Sequence, residues 1–532
     1  YGGTIASTLK QSAAGVFNNY GTFTVKDGIS GGVVNNKAGA AIASSFTADA
    51  FVNEGDIVLM QNDDGSLTTM TVSGTADLIS GRFVPYVNST VTYKNGTTTV
   101  LTADTLTVGE AFKTNFILTG LIGGTVSYDG KNLTVTITYR DMNDPANTPG
   151  FDDKERQVLS IFARMFDDHP DEFSGYFYLT TDELQKSVNS LRDRIQPVAN
   201  KDLPLSGTVA NNIYSHLFQV RQQRAVAPAP QRTPPYYYRG RYWRGRSGGD
   251  YGSTAKVWAQ FLGGHGRFDA ADRTDRSTAK TDMLGGQFGW DWQSSDRFLW
   301  GLTAGFASTR IKQDGDEIRI ADYRAGIYTG YRSGRFTFDT VLSGGLQKYE
   351  SDRSTDIAGL STVSKASYNG YTVEAGVNAG FEIGSMPRRD YRFGMHPYVS
   401  ANAAYSYREE YKEKGQTSAA NLAVGEADDT TVSVQPGVQL SYTWSDAVLT
   451  LDAGWQRLLT GGAPTTKAYF LDDASKAVFE SLASEADKDY LSLSVGFESN
   501  LSRRVRVKLW ADQKRSEHNI VSMYSVALQY SF

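Results

Sequence analysis

The chain ends in Tyr524-Ser525-Val526-Ala527-Leu528-Gln529-Tyr530-Ser531-Phe532, in which every second residue is apolar and the residues between are small or polar. Such alternation predicts a strand with two unlike faces. Just upstream, Val505, Val507, Leu509 and Ala511 alternate with Arg504, Arg506, Lys508, Trp510 and Asp512, which sets cations opposite an aliphatic face. Leu491, Leu493, Val495 and Phe497 repeat the pattern, as do Tyr371, Val373, Ala375 and Val377. Working back to Lys256 gives about twelve strands of roughly ten residues, the length that a tilted strand needs to cross a bilayer. Residues 257–263 are read as the first of them, with its facing ambiguous. Gly, Ser, Gln and Glu on the alternate positions make a poor dry core and a good hydrated lumen. A soluble β-sandwich also alternates, but it would not keep polar inner faces over half the chain.

Connection lengths give a second criterion, because outer-membrane barrels have short turns at the periplasmic end and long loops outside. Long loops are expected at 267–280, 351–367, 409–429 and 460–488, and short turns at 294–296, 333–334, 445–446 and 500–502. An even strand number puts both ends of the barrel on the short-turn side. Trp290, Trp292, Trp444, Trp455, Tyr405 and Tyr407 lie near strand ends, as interfacial girdles do. Composition agrees. No eighteen apolar residues run uninterrupted, which excludes a membrane-spanning helix but leaves a barrel open. The absence of cysteine excludes disulfide scaffolds and cysteine-based zinc sites and suits passage through an oxidising compartment. A net charge of −5 argues against a general nucleic-acid binder. No charged and then apolar leader follows Tyr1, so the chain is expected to be the C-terminal part of something longer.

Ahead of the barrel, residues 226–254 are rich in Pro, Arg and Tyr and read as a tether on the periplasmic side. Residues 205–225 carry a helix pattern: Ser206 as N-cap, Ile213, Leu217 and Val220 on one stripe, and Arg221 and Arg224 at the C-terminal end. About twenty residues at 1.5 Å each would fill a small barrel from end to end. Residues 141–204 read as a helical connector, with helices at 153–167 and 181–195, the second opened by a Thr180-to-Glu183 capping box. In residues 1–140 an apolar–Asn–x–Gly–x–apolar pattern recurs every seventeen to eighteen residues, at Phe17, Val34 and Phe51. Asn and Gly at fixed corners suit the rungs of a parallel β-helix. Strands in residues 67–140 would close that solenoid with a cap.

These features resemble the C-terminal portion of a monomeric autotransporter of the type V secretion family. The resemblance rests on the Asn/Gly rungs, the strand Leu133-Thr134-Val135-Thr136-Ile137-Thr138-Tyr139-Arg140, the helix after Leu205-Ser206-Gly207, the opening Val257-Trp258-Ala259-Gln260 and the terminal Tyr530-Ser531-Phe532. It implies a mainly β chain: a twelve-stranded antiparallel outer-membrane barrel over residues 255–532, plugged by residues 205–225, with a β-helical passenger end and autochaperone-like stem in residues 1–140. The passenger would stand on the cell surface of a Gram-negative bacterium. The last strand, with Tyr524, Val526, Leu528, Tyr530 and Phe532, would be the signal read by the barrel-assembly machinery. Outer-membrane lipid, periplasmic chaperones and a surface ligand of the passenger complete the expected partners, with no nucleic acid and no cofactor. Some family members cut themselves between two asparagines of the pore helix. Asn211 and Asn212 stand at a matching place, and lumen-facing Asp339, Glu374 or Asp452 could activate them, but their neighbours do not match the family's cleavage motif, so a plain polar helix is the reading here. Arg504, Arg506 and Lys508 complete the charges expected in the lumen.

The five histidines, His169, His216, His265, His396 and His518, have no partner at metal-ligand spacing. There is no Gly-x-Ser-x-Gly, Walker or dinucleotide motif. The chain itself is therefore read as non-enzymatic and the passenger as adhesin-like. The alternatives are a hydrolase whose catalytic part lies upstream and a plugged porin.

Overall fold

The computed structural model describes residues 3–5, 9–10, 15–60, 66–67, 69–85, 96–117, 119–142, 144–145, 148, 150–168, 179–194, 210, 212–218, 220–221, 255–269, 278–295, 297–313, 315–357, 360–385, 391–444, 447–460, 466–480, 487–502 and 504–532. Ser206, Asn211, Arg224 and the tether at 226–254 lie outside them.

The C-terminal sheet is closed. Ala255–Phe268 pairs antiparallel with Ala279–Gln293 on one side and with the last strand, Asn519–Ser531, on the other. Twelve antiparallel strands complete the circle. Side chains then sort by parity. Phe288, Trp290, Phe306, Leu342, Leu493 and Leu528 stand on the outer wall, each about half exposed or more, while Gln287, Asp291, Thr303, Asp339, Glu374 and Gln439 are buried inside. A sandwich would invert this, with its apolar side chains within. The first strand's facing is now fixed: Val257 and Phe261 point out, Trp258 and Leu262 point in. Two aromatic girdles are present. Trp292 stacks on Trp300 at the short-turn end, and Tyr371 packs against Tyr405 and Tyr407 toward the other.

One loop expectation is corrected. Residues 351–367, read as a long loop, continue the strands Phe336–Ile357 and Leu360–Phe381, which stay in register from Ser351↔Ala366 to Ile357↔Leu360. Beyond the bilayer a hairpin needs no apolar face, so Asp352, Arg353 and Ser354 hide the strand from a hydropathy pattern. The connections 409–426 and 461–488 are long, as expected, but they carry short strands of their own.

In the N-terminal part, Val16–Asn19, Val33–Asn36 and Ala50–Asn53 stack in parallel with a seventeen-residue step. The corner asparagines form a buried ladder: Asn19 Nδ2 donates to Asn36 Oδ1 and Asn36 Nδ2 to Asn53 Oδ1, each at 2.8 Å. Gly39 turns a corner at φ +79°. Gly55 serves differently, since a Cβ there would lie 2.3 Å from the Ala40 carbonyl oxygen. The solenoid ends where Gly96–Phe112, parallel to Met70–Gly81 on one edge, pairs antiparallel with Asn132–Tyr139 on the other. The hairpin after it is held by Asp129, whose carboxylate takes hydrogen bonds from the Asn132 side chain and the Asn132 and Lys131 amides, which pull its pKa down to about 2. The connector forms two helices, α1 (Asp153–Asp168) and α2 (Thr181–Arg194). Thr180 and Glu183 close the expected capping box, and Asp152 and Glu155 close a second.

Candidate functional site: the helix held in the barrel

Residues 210, 212–218 and 220–221 are helical and run inside the barrel. Ala210, Ile213, Leu217 and Val220 pack against Trp258, Leu299, Tyr328 and Val341 of the inner wall. From Asn212 to Arg221 the helix rises about 14 Å, and its contacts descend accordingly. Asn212 Nδ2 reaches Gln287 Oε1 at 3.3 Å and Tyr214 OH donates to Asn402 at 3.2 Å, both near mid-barrel. Arg221 meets Asp339, three residues from the start of a strand at the short-turn end. The helix therefore enters from the long-connection end, opposite both barrel termini.

Two ionic clusters hold it there. Arg221 makes a parallel pair of bonds to Asp339, 2.5 and 2.7 Å, with both side chains buried. Such fork-to-fork geometry fixes rotation as well as depth. One turn back, His216 Nε2 lies 2.8 Å from Asp291 Oδ2, and Lys508 Nζ lies 3.1 Å from His216 Nδ1. An ammonium has only donors, so Nδ1 accepts and Nε2–H faces the carboxylate. Asp291 also receives the Trp258 indole N–H at 3.2 Å and the Tyr328 hydroxyl.

Glycine gives these rings their room. Trp258 stands across from Gly289 and Tyr328 across from Gly301 in the strand register. A Cβ would fall 2.1 Å from the Trp258 ring at Gly289 and 2.2 Å from the Tyr328 ring at Gly301. Gly376 does the same for the helix, with its would-be Cβ 2.3 Å from Tyr214 OH.

Among the expected site residues, Ile213, Leu217 and Arg221 are buried on the helix and Asp339 is its partner. Lys508 joins the His216 cluster. Glu374 lies 3.5 Å from Arg324 on the wall, Asp452 binds Tyr398 and Gln439, and Arg506 pairs with Glu498. Arg504 is corrected: it stands exposed in the turn before its strand and donates to Tyr530 OH at 3.4 Å, because the strand begins only at Val505. Tyr524, Val526, Leu528 and Phe532 face outward. Asn212, Glu374 and Asp452 line one lumenal cavity of about 120 Å³.

His216, Asp291, Trp258 and Tyr328 were missed as functional residues. His216 looked isolated because its partners come from strands 75 and 292 residues away. A usable signal was present: a lone large aromatic on a lumenal position opposite a glycine, which suits a ring leaning over a gap left by its neighbour.

Residues 257–512 match the family described as "Autotransporter beta-domain". Among curated proteins the chain is similar to Esterase EstA of Pseudomonas aeruginosa, 24% identical over 295 residues, which cover 52% of this chain and 43% of that protein. Esterase EstA of Pseudomonas putida matches to the same extent. The chain thus spans less than half the length of these relatives. Similar solved structures include the translocator domain of the autotransporter NalP from Neisseria meningitidis, at 15% identity and a TM-score of 0.44, covering 53% of this chain and 90% of that one. The transport unit of AIDA-I from Escherichia coli follows at 14% and 0.41, covering 55% and 94%.

Proposed function

Residues 257–512 form an autotransporter β-domain, an outer-membrane translocator unit, and from that premise we propose that it exports its own N-terminal passenger to the cell surface and holds it there. The observation that carries the reading is the direction of the locked helix. Its N-terminal end faces the long connections, which supports a passenger that leaves the barrel on the side away from residues 255 and 532. Planar-bilayer recording tests it. Deleting residues 206–224 is expected to turn a sealed barrel into a persistently conducting one; equal conductance with and without the segment would remove the plug from the account.

The barrel is not itself a catalyst. For the passenger, stacked rungs with exposed side chains support an adhesin-like surface with an unidentified ligand. The esterase relatives favour a second reading, a hydrolytic passenger upstream. Ester hydrolysis by intact cells bearing the whole protein would decide for the latter.

Lipid, periplasmic chaperones and the barrel-assembly machinery are the proposed partners during biogenesis. The final strand supports the last of these: its outward row ends in Phe532, 72% exposed, with its ring edge-on to Tyr530. An exposed alternating strand can add to another sheet edge. Deleting Phe532 is expected to lower the amount of heat-modifiable barrel in outer membranes; undiminished insertion would dismiss the role. We also read the helix as uncut, since the Asn212 amide is engaged by Gln287.

A further inference from the structure

The connections 409–426 and 461–488 do more than bridge barrel strands. Tyr411–Lys412, Leu422–Val424, Lys467–Phe470 and Phe479–Glu480 pair in that order as a second, small sheet. Strands of two to four residues do not make an independently stable sheet. Something must fasten it below and cover it above.

Below, the tall hairpin fastens it. Arg353 makes two bonds to Glu413, 2.8 and 2.5 Å, and a third to the Ala420 carbonyl at 2.6 Å. Glu413 in turn accepts the Leu422 amide at 2.9 Å. Tyr368 stacks between Tyr349 and Tyr411, and the Arg408 guanidinium lies over the Tyr411 ring. Tyr349, Arg353 and Tyr368 belong to the tall hairpin, and these contacts explain why it stays strand where a loop was expected.

Above, the sheet's apolar side is covered by the connector. Leu422, Phe470 and Phe479, each at most 1% exposed, belong to one continuous core with Val158, Ile161 and Met165 of α1. Polar contacts frame the seam. Lys154 Nζ reaches Glu480 Oε2 at 2.8 Å, Gln157 Nε2 donates to the Val478 carbonyl at 2.7 Å, and Arg164 Nη2 donates to Ser475 Oγ at 3.2 Å. The 473–477 turn that carries Ser475 is tied by Asp473, which accepts the amides of Ser475 and Ala477.

We propose that this loop sheet is a docking seat for the connector, so that the barrel grips the passenger by a second, non-covalent attachment independent of the chain threaded through the pore. The loop sheet has its buried face completed by the connector, and a core shared across sequence separations above 300 residues does not depend on the peptide link between them. The passenger would thus keep its place and orientation on the barrel even after a cut in the chain.

The inference rests on the passenger standing outside the cell, and the test separates the two. For the test, a protease recognition sequence is inserted between Arg194 and Ala210 of the full-length chain and an epitope is inserted in the solenoid. Antibody labelling of intact cells comes first; no labelling would sink the surface reading. With labelling present, cutting is followed on denaturing gels, and the passenger fragment is expected to sediment with the cells. Met165→Asp on α1, or Phe479→Asp on the seat, should move most of it to the supernatant while the barrel keeps its heat-modifiable mobility. The chain lacks cysteine, so Lys154→Cys with Glu480→Cys gives an independent measurement with a short, membrane-impermeant bis-thiol reagent. That pair should cross-link on intact cells and lose the cross-link when Met165→Asp is added. Release of the fragment from the unaltered seat, or absence of the cross-link, overturns the proposal.

Discussion

Replacing Arg221 by methionine should raise the open probability of the barrel in planar bilayers by about a hundredfold or more. The change leaves the fully buried Asp339 carboxyl with the Asn378 amide at 3.2 Å in place of a guanidinium. Removing one partner of a buried pair typically costs about 3–5 kcal/mol, and each 1.4 kcal/mol is about tenfold in an equilibrium. Here the equilibrium is between the helix seated in the pore and the helix displaced. Arg221→Lys keeps the charge but cannot form the parallel pair, so it should fall between the two. The double change Arg221→Met with Asp339→Leu removes both charges and should return toward the sealed state. A single Arg221→Met variant that conducts no more than the unaltered chain would show that the pair does not hold the plug.

Asn36→Ala should cost the solenoid on the order of 2–6 kcal/mol, while Asn35→Ala one residue away should cost almost nothing. Asn36 is fully buried, accepts from Asn19, and donates to Asn53 at 2.8 Å and to the Asp56 carbonyl at 2.9 Å. Its loss leaves two buried groups unsatisfied, the Asn19 side-chain amide and the Asn53 side-chain carbonyl oxygen, at about 1–3 kcal/mol for each. Asn35 makes the matching ladder bond to Asn18 on the solvent side, where water replaces it. Hydrogen exchange over residues 16–59 of the purified full-length chain reads the difference. Equal protection in the two variants would mean that the buried ladder is not what holds the rungs together.

Both predictions rest on residues that the sequence marks unequally. The asparagine ladder is legible, because its members repeat at the seventeen-residue step of the backbone and each does the same work. Arg221 is legible as a helix-end cation, but its partner is not. Asp339 is one of several carboxylates on polar strand faces, and nothing local tells it from Glu374 or Asp452. The His216 cluster is less legible still, since it draws single residues from four barrel strands.

What the amino-acid order determines alone is whatever depends on period: which strand residues face lipid, where rungs repeat, which helix stripe is apolar. Lipid on one side and water on the other impose a two-residue rhythm that survives without knowledge of neighbours. Only the closed tertiary structure decides which lumenal charge meets which helix residue, because that pairing depends on strand register and on the depth of the helix. It alone also decides that Asp352, Arg353 and Ser354 belong to a tall hairpin. Outside the bilayer, backbone hydrogen bonds between partners extend a strand regardless of side-chain polarity, and no hydropathy pattern records them.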